Sequence, residues 1–517
     1  MNQNLYLQFF DNFSRQPEKV LIDTAEGASY RYRDVLDTSR RLARVLRERG
    51  VTPGERVVVQ VDKSPQTVML YLACLQVGAV YLPLNTAYTE AEIEYFLGDA
   101  EPRLYVCRPE DRDSAERLAE RCGDIYQTSA AVETLGTAAD GSLMALAEAA
   151  EADTEIAELA GDDLAAILYT SGTTGRSKGA MLTHANLAAN SQALAETWRF
   201  SSDDHLLHAL PIFHTHGLFV ACNIILTVGA SMTFLPKLDP EQLITLMPRA
   251  TVLMGVPTFY TRLLASPRLD REAVRNMRLF VSGSAPLLAE THHDFFERTG
   301  HAILERYGMT ETNMNTSNPY DGERRPGTVG FALPGSEVRI TDRDSGKVLA
   351  PGETGLVEVR GPNVFKGYWR MPEKTAAEFR EDGFFITGDL GVIDSDGYLS
   401  IVGRDKDLVI SGGYNVYPKE IEQWIDELPE VVESAVIGVN HPDLGEGVTA
   451  AVVLKPGATL DESQVLASLS DKVARYKQPK RVFFIDSLPR NVMGKVQKNA
   501  LRERYADIYQ TPAAASR

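Results

Sequence analysis

Apolar positions in the first part of the chain alternate between two periods. Residues 29–49 pass from a short strand-like run into a helix pattern with Val35, Ser39, Leu42, Ala43 and Leu46 on one face. Residues 57–61 then read as a buried strand, 65–76 as a helix, 79–82 as the next strand and 104–107 as another. That strand-helix-strand rhythm predicts a mostly parallel sheet with helices on both faces. Residues 128–160, rich in Ala, Glu and Asp with little turn punctuation, are expected to be exposed helix and connector. The rhythm resumes with an apolar run at 164–168, a helix-like segment at 184–198, and strands at 205–210, 279–282 and 303–304.

Beyond Gly330 the texture changes to short strands and turns, at 337–340, 355–360, 384–386 and 398–402, which suits a small β-rich subdomain. The remainder has strands at 432–439, 449–454 and 481–485 and amphipathic helices at 419–427 and 463–473. The expected fold is therefore α/β. It has a large N-terminal domain, 1–403, of mostly parallel sheets flanked by helices plus the β-rich subdomain, and a small α+β C-terminal domain, 404–517.

Composition narrows the partners. At 517 residues the chain exceeds one core, and 44% hydrophobic with 24% charged residues is ordinary globular usage. A net charge of -18 argues against a nucleic-acid partner, yet leaves room for a basic pocket that takes small anions. The four cysteines lack metal-type spacing, so a reducing, cytoplasmic setting is expected. Acidic and polar residues interrupt 1–20, so neither a signal peptide nor a membrane span is expected, and the final Ala-Ala-Ser-Arg is no peroxisomal address.

The chemistry centres on 169–179, Tyr-Thr-Ser-Gly-Thr-Thr-Gly-Arg-Ser-Lys-Gly. Placed between a buried strand and a helix pattern, its glycines allow close backbone approach, its hydroxyls donate, and Lys178 with Arg176 adds positive charge. That is a phosphate cradle, but not the kinase and GTPase loop, because Gly179 stands where that loop has Ser or Thr. In Glu305-Arg306-Tyr307-Gly308-Met309-Thr310-Glu311-Thr312, Tyr307 offers a flat face for adenine, Thr310 a hydroxyl for a phosphoryl oxygen and Glu311 a hard carboxylate for magnesium. His214 and His216 could share a side as metal ligands do, but no third ligand lies nearby. A pocket wall of Phe213 and His214 is the preferred reading, with His216 the better candidate for a core histidine. Ser284 follows a strand without the Gly-x-Ser-x-Gly elbow of hydrolases. A buried Asp389 suits the two hydroxyls of a ribose.

The cradle resembles the signature loop of the acyl-adenylate-forming enzymes, the family of acyl-CoA synthetases, peptide-synthetase adenylation domains and firefly luciferase. Six motifs in that family's order cover essentially the whole chain. The resemblance implies ATP bound by Thr170, Ser171, Gly172, Thr173, Thr174, Gly175 and Lys178, by Ser284, Ala285 and Tyr307, and at the ribose by Asp389 and Arg404. It makes Thr310, Glu311 and Lys495 catalytic, Glu311 the magnesium ligand, Lys406 the hinge, and Gly412 and Gly413 the lining of a coenzyme A tunnel. A Pro-x-Phe-His segment like 211–214 lines the family's acyl pocket.

Arg306 stands where many relatives carry a small residue, often Gly. A guanidinium left unpaired among apolar tails would cost several kcal/mol. It makes sense if the acid brings a second carboxylate, which Arg can hold bidentately. The alternative is pairing with Glu305 or another protein acid. The segment 305–313 is similar to that of malonyl-CoA synthetases, with His214 and Ser284 as further contacts, which implies malonate or methylmalonate. Rival expectations are a ligase for another small, medium-chain or aryl acid, an adenylation module serving a carrier protein, and a non-catalytic nucleotide-binding protein.

Overall fold

The computed structural model describes residues 2–126, 130–136, 141–170, 177–412, 414–470, 472–491 and 494–509. By internal contacts the chain divides into two units, 1–338 with 359–385, and 339–358 with 386–517.

The first unit holds two sheets. Among the described residues one runs Gly367–Tyr368, Lys178–Thr183, Leu164–Thr170, Val80–Pro83, Arg56–Gln60, Leu104–Cys107, Ala131–Thr134, and its last five strands pair in parallel. The other runs Phe331–Ala332, Asn313–Ser317, Leu304–Met309, Leu279–Ser282, Val252–Gly255, His205–His208, Ser231–Phe234, Val20–Thr24, Ser29–Arg31, parallel from Leu304–Met309 to Val20–Thr24. The strands and helices expected from periodicity over 56–107 are present within a residue or two. Helix Pro65–Val77 is buried on every face, as its apolar centre, 68–75, requires. Ser64 caps its start by accepting from the Thr67 amide, and Gly78, at φ 78°, ends it in the left-handed region.

Two expectations need correction. Residues 128–160 are not merely connector: Ala131–Thr134 extends the parallel sheet, and helix Ser142–Ala149 buries Leu143, Met144 and Ala147. The edge strand was hidden because its buried Glu133 reads as solvent-facing, whereas it pairs with Arg49 at 2.6 Å. The cradle, expected to join a strand to a helix, joins two antiparallel strands, with Thr170 opposite Lys178. Helix His184–Thr197 begins only after strand Lys178–Thr183.

In the second unit, Gly445–Leu454 pairs along its length with Val431–His441, and Val409–Ser411 and Arg481–Phe484 also pair with it. Alternation sorts the two faces. Val436, Val448, Ala450 and Val452 pack with Ile421, Ile425, Val465 and Leu469 of the helices Pro418–Asp426 and Glu462–Leu469. Ala435, Ile437 and Ala451 pack with Leu501 of Lys498–Arg504. The β-rich segment forms a sheet in the order Glu337–Thr341, Gly355–Arg360, Phe385–Ile393, Leu399–Arg404. Its central contacts group it with the C-terminal residues, so the expected cut at 403/404 lies inside the second unit. Among the described residues no helix is long and apolar enough to cross a membrane. All four cysteines are free and buried, and burial pushes the thiols of Cys107 and Cys222 up to about 12 and raises those of Cys74 and Cys122.

Candidate active site

Strand Leu304–Met309 carries Glu305 and Arg306 on opposite faces. Arg306 is 3% exposed, its Nε and Nη2 have no hydrogen-bond partner, and burial brings the guanidinium down to about 9. It lies against Gly283, at the end of the parallel neighbour Leu279–Ser282, where a Cβ would overlap the guanidinium. Glu305 does not pair with it. That carboxyl accepts from the Gly327 amide at 3.1 Å, and burial pushes it up to about 8.

Facing the same guanidinium is His216, whose imidazole is kept neutral by burial first and by the charge of Arg306 second. Its Nδ1 lies 3.5 Å from Ser284 Oγ, a long contact, and its Nε2 is buried without a partner. Ser284 sits at φ 70°, a region serine rarely occupies, at the turn leaving Leu279–Ser282. The structure thus brings Arg306, Ser284 and His216 together. His214 lies tilted against the Phe213 ring, centroids 4.6 Å apart; burial lowers it to about 4 and leaves its Nε2 without a partner. The histidine beside Arg306 is thus His216. The signal was the His-x-His spacing itself, which put two candidates in play.

A second histidine supports that turn from behind. Lys63 Nζ lies 2.9 Å from His208 Nδ1 and donates to the carbonyls of His208 and Leu235, each at 2.7 Å. A carbonyl only accepts, so Nε2 carries the proton given to Gly217 at 2.8 Å, and because burial keeps the ring neutral, Nδ1 accepts from Lys63. Gly217 admits no side chain, because a Cβ would run into the Pro211 carbonyl. Together these contacts fix the wide helical turn His216–Cys222.

Thr310 and Glu311 occupy the turn between Leu304–Met309 and Asn313–Ser317. Thr310 and Tyr307 are half-buried, and Glu311 is buried. The Tyr368 hydroxyl lies 3.0 Å from Glu311 Oε1 and 2.7 Å from Glu378 Oε2. Lys178 Nζ lies 3.4 Å from Glu378 Oε1 and 4.0 Å over the Tyr368 ring. Thr170 ends its strand with Oγ1 3.5 Å from the Lys178 carbonyl, and Ala285 is half-buried next to Ser284. Ser171, Gly172, Thr173, Thr174 and Gly175 lie outside the described residues. Among the described residues no group of three or more His, Cys, Asp or Glu could hold a metal, so the His-x-His metal alternative gains no support. A buried carboxylate beside hydroxyls is a donor set that fits magnesium, which takes few protein oxygens and completes its shell from phosphate and water.

In the second unit, Asp389 is buried and receives Arg404 Nε at 2.7 Å from the neighbouring strand, where the two residues are directly opposite. Burial lowers Lys406 to about 8, helped by the charges of Arg404, Lys495 and Arg502 and opposed by Asp407. Gly412, at φ 59°, donates to the Leu444 carbonyl at 2.8 Å; Gly413 lies outside the described residues. Lys495 is exposed, its amide held by Asn491 Oδ1 at 3.0 Å.

A buried arginine near small polar side chains, with lysine, carboxylate and hydroxyls grouped beside the cradle, is a site for an anionic acid and a nucleotide. The chain belongs to the AMP-binding enzymes: the family's model matches residues 9–369, and that of the AMP-binding enzyme C-terminal domain matches 420–495. It is similar to the ATP-bound crystal structure of MatB from Rhodopseudomonas palustris, at 60% identity and TM-score 0.95, covering 99% of this chain and 100% of that one. It is also 34% identical to a malonate-CoA ligase of Arabidopsis thaliana, over 96% of this chain and 87% of the relative. A long-chain-fatty-acid-CoA ligase of Bacillus subtilis is 32% identical, over 97% and 94%.

Proposed function

We infer that the protein joins malonate, with methylmalonate as the nearest alternative acid, to coenzyme A through an acyl-adenylate, releasing AMP and pyrophosphate. The single observation that carries the acid's identity is Arg306: buried, unpaired at Nε and Nη2, and bordered by neutral His216 and Ser284. A dicarboxylate keeps one carboxylate after the other is activated, and only such an acid supplies the charge that this guanidinium lacks. Fatty and aryl acids, substrates of other relatives, would leave it unpaired.

In the first step the free carboxylate oxygen attacks the α-phosphorus, the bond to the β-phosphate oxygen breaks, and pyrophosphate leaves. Two anions must meet, so positive charge is needed where negative charge builds up. Lys178 and the hydroxyl of Thr170 face the phosphates, with Ser171, Gly172, Thr173, Thr174 and Gly175; Thr310 holds a phosphoryl oxygen; Tyr307 and Ala285 flank the adenine; Asp389 and Arg404 hold the ribose. Magnesium, held by Glu311, neutralises phosphate charge when bound. Lys495 bridges the carboxylate and the α-phosphate. In the second step the coenzyme A thiol attacks the acyl carbon, the bond to AMP breaks, and the thiol proton is released.

The thiol must approach from a side that the first arrangement blocks. The small domain, taken as 404–517, turns about Lys406 between the steps, and Gly412 and Gly413 then line the pantetheine path. The clustering of cationic Lys406, Arg404 and Lys495 supports this, since a hinge crowded by like charge changes its balance when an anion arrives. A reducing compartment, the cytoplasm, suits the four free thiols. The test is AMP release with coenzyme A and a panel of mono- and dicarboxylates. Preference for malonate over propionate and benzoate is expected; equal turnover of all three would overturn the acid's assignment.

A further inference from the structure

Glu378 belongs to no motif singled out in the sequence, yet three groups meet at its carboxylate. It follows helix Pro372–Ala377, takes Lys374 Nζ at 2.8 Å and Lys178 Nζ at 3.4 Å on Oε1, and accepts from the Tyr368 hydroxyl at 2.7 Å on Oε2. Tyr368, held in its strand opposite Ala180, places the same hydroxyl 3.0 Å from Glu311 Oε1. A phenol has one proton. Two carboxylate oxygens share that proton's neighbourhood, Glu378 Oε2 at 2.7 Å and Glu311 Oε1 at 3.0 Å, so the hydroxyl ties the two side chains together. Burial favours the neutral form of Glu378, but hydrogen bonds from Lys374 and Tyr368 outweigh it and hold the group below the usual carboxylate range.

We propose that Glu378 is a positioning residue for adenylation, which orients Glu311 through the Tyr368 hydroxyl and holds the Lys178 ammonium beside them, so that the carboxylate for the metal and the cation for the phosphates are set by one shared hydrogen-bonded group. This rests on the assignment of Lys178 and Glu311 to MgATP given above. Without nucleotide, Lys178 rests on Glu378 and the Tyr368 face; phosphate draws it away, and Glu378 keeps Lys374 and Tyr368. Removing the carboxylate's charge frees Lys178 but loosens Glu311.

The test uses Glu378→Gln, Tyr368→Phe and the double variant in the full chain, with calorimetric binding of ATP at varied Mg2+ in the absence of any acid, plus thermal melting and the KM for malonate. In each single variant the free Mg2+ needed for half-maximal ATP binding should rise on the order of tenfold. The double variant should be no worse than Tyr368→Phe, because both act along one path. Metal-free ATP binding by Glu378→Gln should be no weaker than in the wild type, and the malonate KM should stay put. Wild-type Mg2+ dependence in both single variants overturns the proposal. So does a rise matched by an equal rise in malonate KM and a lower melting temperature, the mark of a merely structural role. If Glu378→Gln does not fold, Tyr368→Phe, which removes one oxygen and leaves Glu378 on Lys374, decides alone. Failure of the wild type to bind MgATP would instead sink the underlying nucleotide assignment.

Discussion

Gly283 and Arg306 are in such close contact that hydrogen is the largest side chain position 283 can carry, since a Cβ there would overlap the guanidinium. The backbone at Gly283 is not in the left-handed region, so the constraint is space alone. Gly283→Ala is therefore expected to fold normally and to displace Arg306, whose Nε and Nη2 have no hydrogen bonds to hold it. Overpacking of this size costs about 1–3 kcal/mol. The malonate KM should rise on the order of tenfold and the melting temperature should fall by roughly a few degrees, measured by AMP release and calorimetry.

Arg306→Met separates function from stability. Replacing a buried unpaired charge by a side chain of similar volume stabilises proteins by about 1–4 kcal/mol. Loss of a buried charge partner for the substrate costs about 2–5 kcal/mol, or a fall of kcat/KM for malonate of about two to three orders of magnitude. A variant that melts higher and turns over malonate poorly is the expected pair of results. Retention of malonate turnover would remove the diacid assignment.

Lys495→Ala should slow adenylation by about two to three orders of magnitude, the usual loss of one charge-stabilising donor. Thioester formation from supplied malonyl-adenylate should continue near the wild-type rate. Pyrophosphate exchange and single-turnover thioester assays measure the two steps apart. Equal slowing of both would deny Lys495 a role confined to the first.

Glu305 makes stability depend on pH. Its folded pKa is raised to about 8 from an ordinary 4.5, so between those values the folded chain holds a proton that the unfolded chain has released. Stability from this group is full below pH 4.5 and falls until about pH 8. Glu305→Gln cannot ionise, and its advantage over wild type should grow by about 4 kcal/mol between pH 4.5 and 9. Denaturant midpoints at both values check this.

Sequence legibility followed how local each feature's cause was. The helix Pro65–Val77 and strand Leu104–Cys107 were legible because burial on all sides leaves continuous apolar runs, 68–75 and 104–107. The edge strand Ala131–Thr134 was not, because Glu133 finds Arg49 only after folding. Arg306 stood out as a charge where a small residue is common. Choosing between His214 and His216 required knowing that His208 and Lys63 pin the Gly217 carbonyl and set the ring beside Ser284. Glu378 was invisible, since nothing in 372–378 marks it apart from a surface helix end; only the approach of Lys178 and Tyr368 does.

An enzyme whose co-substrate is a thiol lives alongside traces of the matching disulfide, and exchange with it needs an accessible sulfur anion. Here Cys74, Cys107, Cys122 and Cys222 are sealed from solvent and held protonated well past neutral pH. The folded chain can therefore handle free sulfhydryls throughout its working cycle without capturing them as mixed adducts, and alkylating reagents become a reporter of unfolding rather than of turnover.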